Sequence, residues 1–134
     1  MDLRVKTVIA LMRDGLGQEL KVCQMAHSVS LTASHFSRLF KAETGLSPYK
    51  YLKILRMKKA KVLLESTFLN VKEIMNRVGV RDESHFVRDF KIICGTTPAR
   101  YRGSFRALPE HDHFVISESA NDNQNRLIES INRQ

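Results

Sequence analysis

An internal repeat is the feature of this 134-residue sequence that most limits how the chain can fold. Residues 35–41 and 85–91 both read His-Phe-x-Arg-x-Phe-Lys, at a spacing of fifty residues. The correspondence extends to both sides, where Met25, Val29, Leu31, Gly45, Ser47, Pro48 and Tyr51 are matched by Ile74, Val78, Val80, Gly95, Thr97, Pro98 and Tyr101. Upstream the spacing is forty-nine, so one extra residue lies before His85, where a turn absorbs it. Two copies in register predict a duplicated motif rather than a solenoid.

Each copy reads as a short helix, a tight turn and a second helix, which is the helix-turn-helix arrangement. In the first copy the helices span residues 22–28 and 33–43, with a turn at Ser30 and an N-cap at Thr32. In the second copy residues 70–73 read as a capping box, and the first helix ends before Gly79. The second helix of this copy spans residues 83–94.

A longer helical stretch, residues 47–65, connects the two copies. Ser47 suits the N-cap and Pro48 suits the first helical position, where a missing N–H costs nothing. The stretch continues without glycine or proline, and its leucines recur at helical spacing. At about 1.5 Å per residue it is roughly 27 Å long. With a first helix over residues 3–13 and a last one over residues 98–105, the sequence predicts an all-α fold of seven helices.

Charge is concentrated in the repeated part of the chain. Residues 1–106 hold 20 basic and 9 acidic side chains, whereas residues 107–134 hold 2 and 5 and are polar in composition. A basic body with an acidic tail indicates a surface that binds a polyanion. Cys23 and Cys94 lie within helical patterns and are expected to face inward, as in a protein of a reducing cytosol. No apolar run is long enough to span a membrane, and no signal peptide opens the chain.

The second helix of each copy has an apolar face that fixes which residues point outward. Phe36, Leu39 and Phe40 in the first copy, like Phe86, Phe90 and Ile93 in the second, are spaced to face a core. The outward residues, which we predict to contact DNA, are Ser34, Ser37, Arg38 and Lys41 in the first copy and Glu83, Ser84, Val87, Arg88 and Lys91 in the second. Arginine can bind O6 and N7 of guanine together, and lysine suits phosphate. The alternative is that both arginines only face water, as most surface arginines do.

These residues resemble the paired helix-turn-helix domain of the AraC-type (AraC/XylS) family of bacterial transcription regulators. Three segments carry the resemblance: residues 35–45, residues 48–64 and residues 78–102. The second reads Pro-x-x-Tyr-Leu-x-x-x-Arg-Met-x-x-Ala-x-x-Leu-Leu. The third reads Val-Gly-Val-x-Asp-x-Ser-His-Phe-x-Arg-x-Phe-Lys and continues to Gly-Thr-Thr-Pro-Ala-Arg-Tyr-Arg. Altogether the resemblance covers residues 3–105.

The resemblance implies two homeodomain-like three-helix subdomains, residues 1–66 with the connecting helix and residues 67–106, followed by a polar tail, residues 107–134. It implies a sequence-specific regulator of double-stranded DNA that places its two recognition helices in successive major-groove segments. It further implies a cytoplasmic activator at the bacterial nucleoid, acting as a monomer that contacts RNA polymerase, without a cofactor. The short length resembles stand-alone members of the MarA and SoxS type, which lack a sensor domain. The alternative is that residue 1 is the edge of a longer regulator.

Some positions depart from the family pattern. Ser30 stands where many helix-turn-helix turns have glycine, so we expect its backbone to differ slightly from that of Gly79. Ser34 and Ser37 are short, which implies fewer direct base contacts from the first copy. Glu83 can accept from cytosine N4, or it can simply complement the helix dipole, and the sequence does not decide between these roles.

Other candidate sites are weaker. Cys23 and His27 lie four residues apart, but no second pair completes a metal site, and residues 110–113 (Glu-His-Asp-His) favour a solvated loop. His35 and His85 are expected at the edges of the recognition helices and have no partner that would make them catalytic. Arg56, Lys58 and Lys59 can face solvent or the DNA backbone, with a salt bridge in its own subdomain as the default for Arg56. The sequence contains no nucleophile elbow, P-loop or dinucleotide-binding fingerprint.

Two functions of other classes compete with DNA reading. One is a protein-binding adaptor or anti-activator that keeps the fold without reading DNA. The other is a methyl- or redox-accepting regulator that acts through Cys23 or Cys94, which would need an exposed thiol of low pKa. The inward orientation expected for both cysteines argues against the second.

Overall fold

The computed structural model describes the backbone of residues 1–107 and the side chains of residues 1–105. This part of the chain contains seven helices and no strand, which confirms the predicted all-α fold. The helices are α1 (Leu3–Asp14), α2 (Val22–Ser28), α3 (Ala33–Thr44), α4 (Pro48–Ser66), α5 (Val71–Val78), α6 (Glu83–Cys94) and α7 (Pro98–Ala107). Each predicted helix end lies within two residues of the observed one. The predicted tail, residues 107–134 with the Glu-His-Asp-His cluster at 110–113, lies outside the described residues except for the backbone of residue 107.

Local capping explains why the helices begin and end at these residues. Thr32 and Asp82 accept hydrogen bonds from the backbone N–H groups of His35 (3.2 Å) and His85 (2.9 Å), at the starts of α3 and α6. The predicted capping box at the start of α5 is present, with Asn70 and Glu73 each accepting from the other's backbone. These contacts involve residues close in sequence, so they can be predicted from it.

The connecting helix α4 is a structural part of both repeated units. It packs against α1 and α3 and also against α5, α6 and α7. Its second half is the counterpart of α1, since Met57, Ala60 and Leu64 are buried like Val5, Val8 and Met12, fifty-two residues earlier. The first unit is therefore α1–α3 with the first turns of α4, and the second unit is the rest of α4 with α5–α7. The subdomain boundary predicted after residue 66 stays a prediction.

Each unit is built around a cluster of three aromatic rings. In the first unit the ring of Phe40 lies 5.6 Å from Phe36 and 5.3 Å from Tyr51, between centroids. In the second unit Phe90 lies 6.1 Å from Phe86 and 6.0 Å from Tyr101. These rings are almost completely buried, and such pairs stabilise a core beyond the area that they bury. The clusters fix the inward faces of α3 and α6, as the sequence predicted.

Polar contacts attach α7 to the end of α4. The Tyr101 hydroxyl donates to Glu65, and burial, reinforced by this carboxylate, raises the pKa of the Tyr101 hydroxyl. The Arg102 guanidinium donates to the backbone oxygens of Leu64 (3.3 Å), Thr67 (3.2 Å) and Leu69 (2.5 Å). Arg102 thus satisfies carbonyl groups that a helix end leaves without partners. None of the described helices is both long and apolar enough to cross a membrane.

The two units also contact each other directly. The loop between α1 and α2 lies against the turn between α5 and α6, where the Leu16 backbone oxygen faces Gly79. A β-carbon at position 79 would lie closer than 3.0 Å to that oxygen. At Gly17 a β-carbon would lie 3.1 Å from the backbone oxygen of Arg77. The relative position of the units therefore depends on this loop as well as on α4.

Candidate nucleic-acid interface

The turns that precede α3 and α6 share a left-handed residue and a closing hydrogen bond. Ser30 and Gly79 both have left-handed backbones, with φ of 61° and 79°. The next residue closes each turn in the same way, since Leu31 N–H donates to Ala26 O (3.0 Å) and Val80 N–H to Met75 O (2.9 Å). The two φ values differ by 18°, a slight difference of the kind expected at Ser30. The six-to-one hydrogen bond imposes one turn geometry, and Ser30 adopts it at the steric cost of a side chain.

Both recognition helices expose the same positions. Seven of the nine predicted contact residues are exposed, namely Ser34, Arg38, Lys41, Glu83, Ser84, Arg88 and Lys91. His35 and His85 are exposed as well. The two remaining residues, Ser37 and Val87, are half-buried beside Phe36 and Phe86. Each unit thus presents Ser, His, Arg and Lys at equivalent positions of an outward helix face.

The starts of the two recognition helices differ in charge. The N-cap and first residue of α3 are Thr32 and Ala33, whereas those of α6 are Asp82 and Glu83. The hydrogen bond from the backbone of His85 is the main cause that lowers the pKa of the Asp82 carboxyl, so this group is ionised at neutral pH. Acidic groups suit the positive end of a helix dipole, but they repel phosphate. The start of α3 is therefore better suited to a close approach of the DNA backbone.

In the second unit the predicted base-contacting arginine has a neighbour that the sequence pattern did not reveal. Arg88 Nε lies 3.5 Å from Asp89 Oδ1, and the same oxygen lies 3.7 Å from Lys53 Nζ on α4. The corresponding residue of the first unit is Leu39, which is half-buried. The sequence did contain a signal. Residues 35–41 and 85–91 differ at two positions, Ser37/Val87 and Leu39/Asp89, and the second places a charged residue at an inward-leaning position.

Arg56 takes part in the contact between the units. Its Nη2 donates to the backbone oxygen of Gln18 at 3.0 Å, and a β-carbon at Gly79 would lie 3.1 Å from the same nitrogen. Burial lowers the pKa of the Arg56 guanidinium, and its Nε finds no acceptor among the described residues. The default expectation of a salt bridge for Arg56 is wrong, since the α1–α2 loop offers it a carbonyl group instead. Lys58 is half-buried and Lys59 is exposed.

The inward orientation expected for both cysteines is wrong for Cys23, which is exposed. The short helix α2 buries Met25 and Ala26, and Cys23 lies in its first turn, about 160° from Met25 and about 60° from Ala26 around the helix. Cys94 is half-buried, and burial raises the pKa of its thiol to about 12. Among the described residues no three metal-binding side chains cluster, so Cys23 and His27 have no further ligands there.

Comparison with known proteins connects this arrangement to transcription regulators. A family model described as a helix-turn-helix domain matches residues 25–104. The Msm operon regulatory protein of Streptococcus mutans is 33% identical over 98 residues, which cover 73% of this chain. The match covers 35% of that protein, so the chain spans about a third of the relative's length.

Two solved structures have the same fold. The DNA-binding domain of AdpA, a global transcriptional factor solved in complex with a target DNA, is 29% identical with a TM-score of 0.75. That match covers 78% of this chain and 94% of the AdpA domain. A Chromobacterium violaceum regulator, described as an AraC-type DNA-binding domain-containing protein, is 27% identical with a TM-score of 0.72. This match covers 79% of this chain and 94% of the Chromobacterium violaceum chain.

Proposed function

The chain belongs to the AraC-type family of helix-turn-helix transcription regulators, and from this premise we propose that α3 and α6 read successive major-groove segments of one promoter site. One observation carries the proposal: the two units expose the same side chains at the same helix positions. Arg38 and Arg88 are exposed, and so are Lys41 and Lys91 one turn further along. A duplicated core alone would not require the outward residues to be duplicated as well.

Each exposed residue has a role that matches its chemistry. Arg38 and Arg88 bind guanine through two parallel hydrogen bonds in the major groove, and Lys41 and Lys91 neutralise phosphates beside it. Ser34, Ser37 and Ser84 are short, which allows the helices to lie deep in the groove. Val87 offers an apolar surface suited to the methyl group of thymine. Glu83 either accepts a hydrogen bond from the N4 amino group of cytosine or only complements the helix dipole.

The two readers act as one because their relative position is fixed. The helix α4 is continuous over Pro48–Ser66 and contributes to both cores, and the Leu16 oxygen faces Gly79 across the units. Once α3 is bound, α6 therefore docks with little further orientational cost. The resemblance implies a separation of about one helical turn, or about 34 Å, between the two contacted segments. The roughly 27 Å length of α4, whose first turns belong to the first unit and whose remainder belongs to the second, suits that span.

The finer features of the proposal follow from the family resemblance and the charge distribution. The protein acts as a monomer on asymmetric sites, activates transcription through contact with RNA polymerase, and works at the bacterial nucleoid in the cytoplasm. It carries out no enzymatic reaction. The basic residues of the repeated part, 20 against 9 acidic ones, provide the attraction to DNA.

Selection of bound sites from random duplex DNA tests the proposal. We expect two preferred blocks of base pairs whose centres are about 10 bp apart, so that both lie on one face of the duplex. A single preferred block would mean that only one unit reads DNA. Binding without any base preference would contradict the proposal altogether and would favour the protein-binding adaptor.

A further inference from the structure

Asp89 occupies a groove between α4 and α6, next to the arginine that we assign to base reading. The Asp89 side chain is 13% exposed, whereas the Arg88 side chain is 60% exposed and that of Lys53 is 29% exposed. The carboxylate therefore lies inside the groove, with the arginine extending past it toward solvent. Lys53 Nζ, the second partner of Asp89, also lies 5.1 Å from the centroid of the Tyr49 ring. The Asp89 carboxylate thus forms ion pairs with Lys53 of α4 on one side and with Arg88 on the other.

This arrangement is a property of the second unit. Fifty residues earlier the equivalent of Asp89 is Leu39, and no ion pair among the described residues involves Arg38. Lys53 belongs to the first turns of α4, which pack as part of the first unit. The Lys53–Asp89 contact therefore joins the units, and Asp89 is held by a residue outside its own repeat.

The atom of Arg88 that faces Asp89 decides how the guanidinium can meet a base. A guanidinium offers five N–H donors in a fixed planar fork. Nε is the guanidinium nitrogen that lies 3.5 Å from the carboxylate, while the two terminal nitrogens form the far end of the fork and can donate in parallel to O6 and N7 of guanine. We propose that Asp89 is a positioning residue. It holds Arg88 in the orientation in which the two terminal nitrogens face the base, and it thereby increases base discrimination by the second unit. The inference rests on the proposed role of α6 as a reader.

A positioning role has a consequence that a purely structural role does not have. A carboxylate near the DNA backbone repels phosphate, so its removal should leave the affinity for non-specific DNA unchanged or higher. Its removal should at the same time lower discrimination at the base pair read by Arg88, because the side chain then samples more conformations. Affinity and specificity would thus change in opposite directions. A lost structural contact would instead lower the stability and all DNA affinities together.

The test compares Asp89→Leu, which copies the first unit, and Asp89→Asn, which keeps the shape without the charge. Selection with wild type and Arg88→Ala first identifies the base pair read by Arg88, and Arg38→Ala identifies the control pair. We expect both Asp89 variants to lose about fivefold or more of the discrimination at the Arg88 pair, out of the roughly 5- to 140-fold that a good arginine–guanine contact gives. Discrimination at the base pair read by Arg38 should remain unchanged. In a protein that already carries Arg88→Ala, Asp89→Leu should cause little further loss of discrimination.

Three outcomes would overturn the inference. Wild-type discrimination by both Asp89 variants would show that Arg88 needs no support. Equal losses at both base pairs, with a lower thermal midpoint, would make Asp89 a structural residue. An Arg88→Ala selection identical to that of wild type would remove Arg88 as a reader, and with it the proposed function of the second unit. Only this last outcome affects the proposed function, so the two failures are distinguishable.

Discussion

The backbone oxygen of Leu16, in the loop between α1 and α2, faces the α-carbon of Gly79, in the turn between α5 and α6. Leu16 belongs to the first unit and Gly79 to the second, so their contact limits how the two units can move. Arg56 lies beside the same turn and donates to Gln18 in the same loop. The Gly79 turn therefore forms the second helix-turn-helix and also accepts the loop of the first unit.

We predict that Gly79→Ala destabilises the protein more than Gly45→Ala, which is its matched control. Both glycines have φ near 80°, where an alanine costs about 1–2 kcal/mol, but a β-carbon at Gly45 meets nothing within 4 Å. At Gly79 it meets the Leu16 oxygen, and such a clash adds about 1–3 kcal/mol. Urea unfolding of both variants measures the difference. Equal free energies of unfolding for the two variants would mean that the loop moves away from the added β-carbon at no energetic cost.

The first turn offers a complementary prediction, because Ser30 adopts a left-handed backbone that favours glycine. We expect Ser30→Gly to stabilise the protein by about 0.5–1 kcal/mol, since the relief of steric cost exceeds the extra chain entropy of glycine. Ser28→Gly, within α2, is the control and should destabilise by about 0.5 kcal/mol or more, because glycine is the poorer helix former and the hydrogen bond from Ser28 Oγ to Met25 O is lost. Thermal unfolding measures both changes. Destabilisation by Ser30→Gly would show that the serine side chain contributes a contact that outweighs its strain.

The helices and the inward faces could be predicted from the sequence because local contacts determine them. Caps such as Asn70 with Glu73 act over three residues, and the apolar spacing of Phe86 and Phe90 places one face in the core. The repeat then allowed each unit to serve as a check on the other. The candidate reading residues followed, since what remains outside such a core is the exposed face.

The features that sequence reasoning missed depend on residues that are distant in the chain. Arg56 and Gln18 are 38 residues apart, and Asp89 and Lys53 are 36 apart, on elements whose packing no local pattern specifies. The exposure of Cys23 was misjudged for a different reason. A seven-residue helix has only two turns, so an apolar pattern does not show which residues reach the core.

The arginines and lysines of the recognition helices should affect binding differently. We predict that Arg38→Ala and Arg88→Ala each cost about 1–3 kcal/mol and relax the preference at different base pairs. Lys41→Ala should weaken binding to all sequences alike, because phosphate contacts carry no sequence information. Titrations with single-base variants of the selected site provide the measurement. An arginine variant that weakens all sequences equally would contradict the assignment of that arginine to a base.

Salt dependence tests the contribution of the basic body. We predict that affinity falls by orders of magnitude between about 50 and 200 mM salt, and that Lys91→Ala lowers the slope of log K against log salt by about 1. Removal of residues 107–134, which hold 2 basic and 5 acidic side chains, should leave specific binding intact or slightly tighter. A flat salt dependence would argue strongly against DNA binding. A loss of binding on truncation would show that the tail takes part in it.

The claim that two readers are held as one rigid unit is tested most directly by changing the distance between the half-sites. The measurement is the affinity of the wild-type protein for its selected site and for the same site with 5 bp inserted between the two blocks. The insertion rotates one block to the far side of the duplex, since a helical turn is about 10 bp. We predict that affinity then falls about 100-fold or more, toward the non-specific level. Equal affinity for the two duplexes would contradict the rigid arrangement and would leave either two loosely tethered binders or a single functional reader.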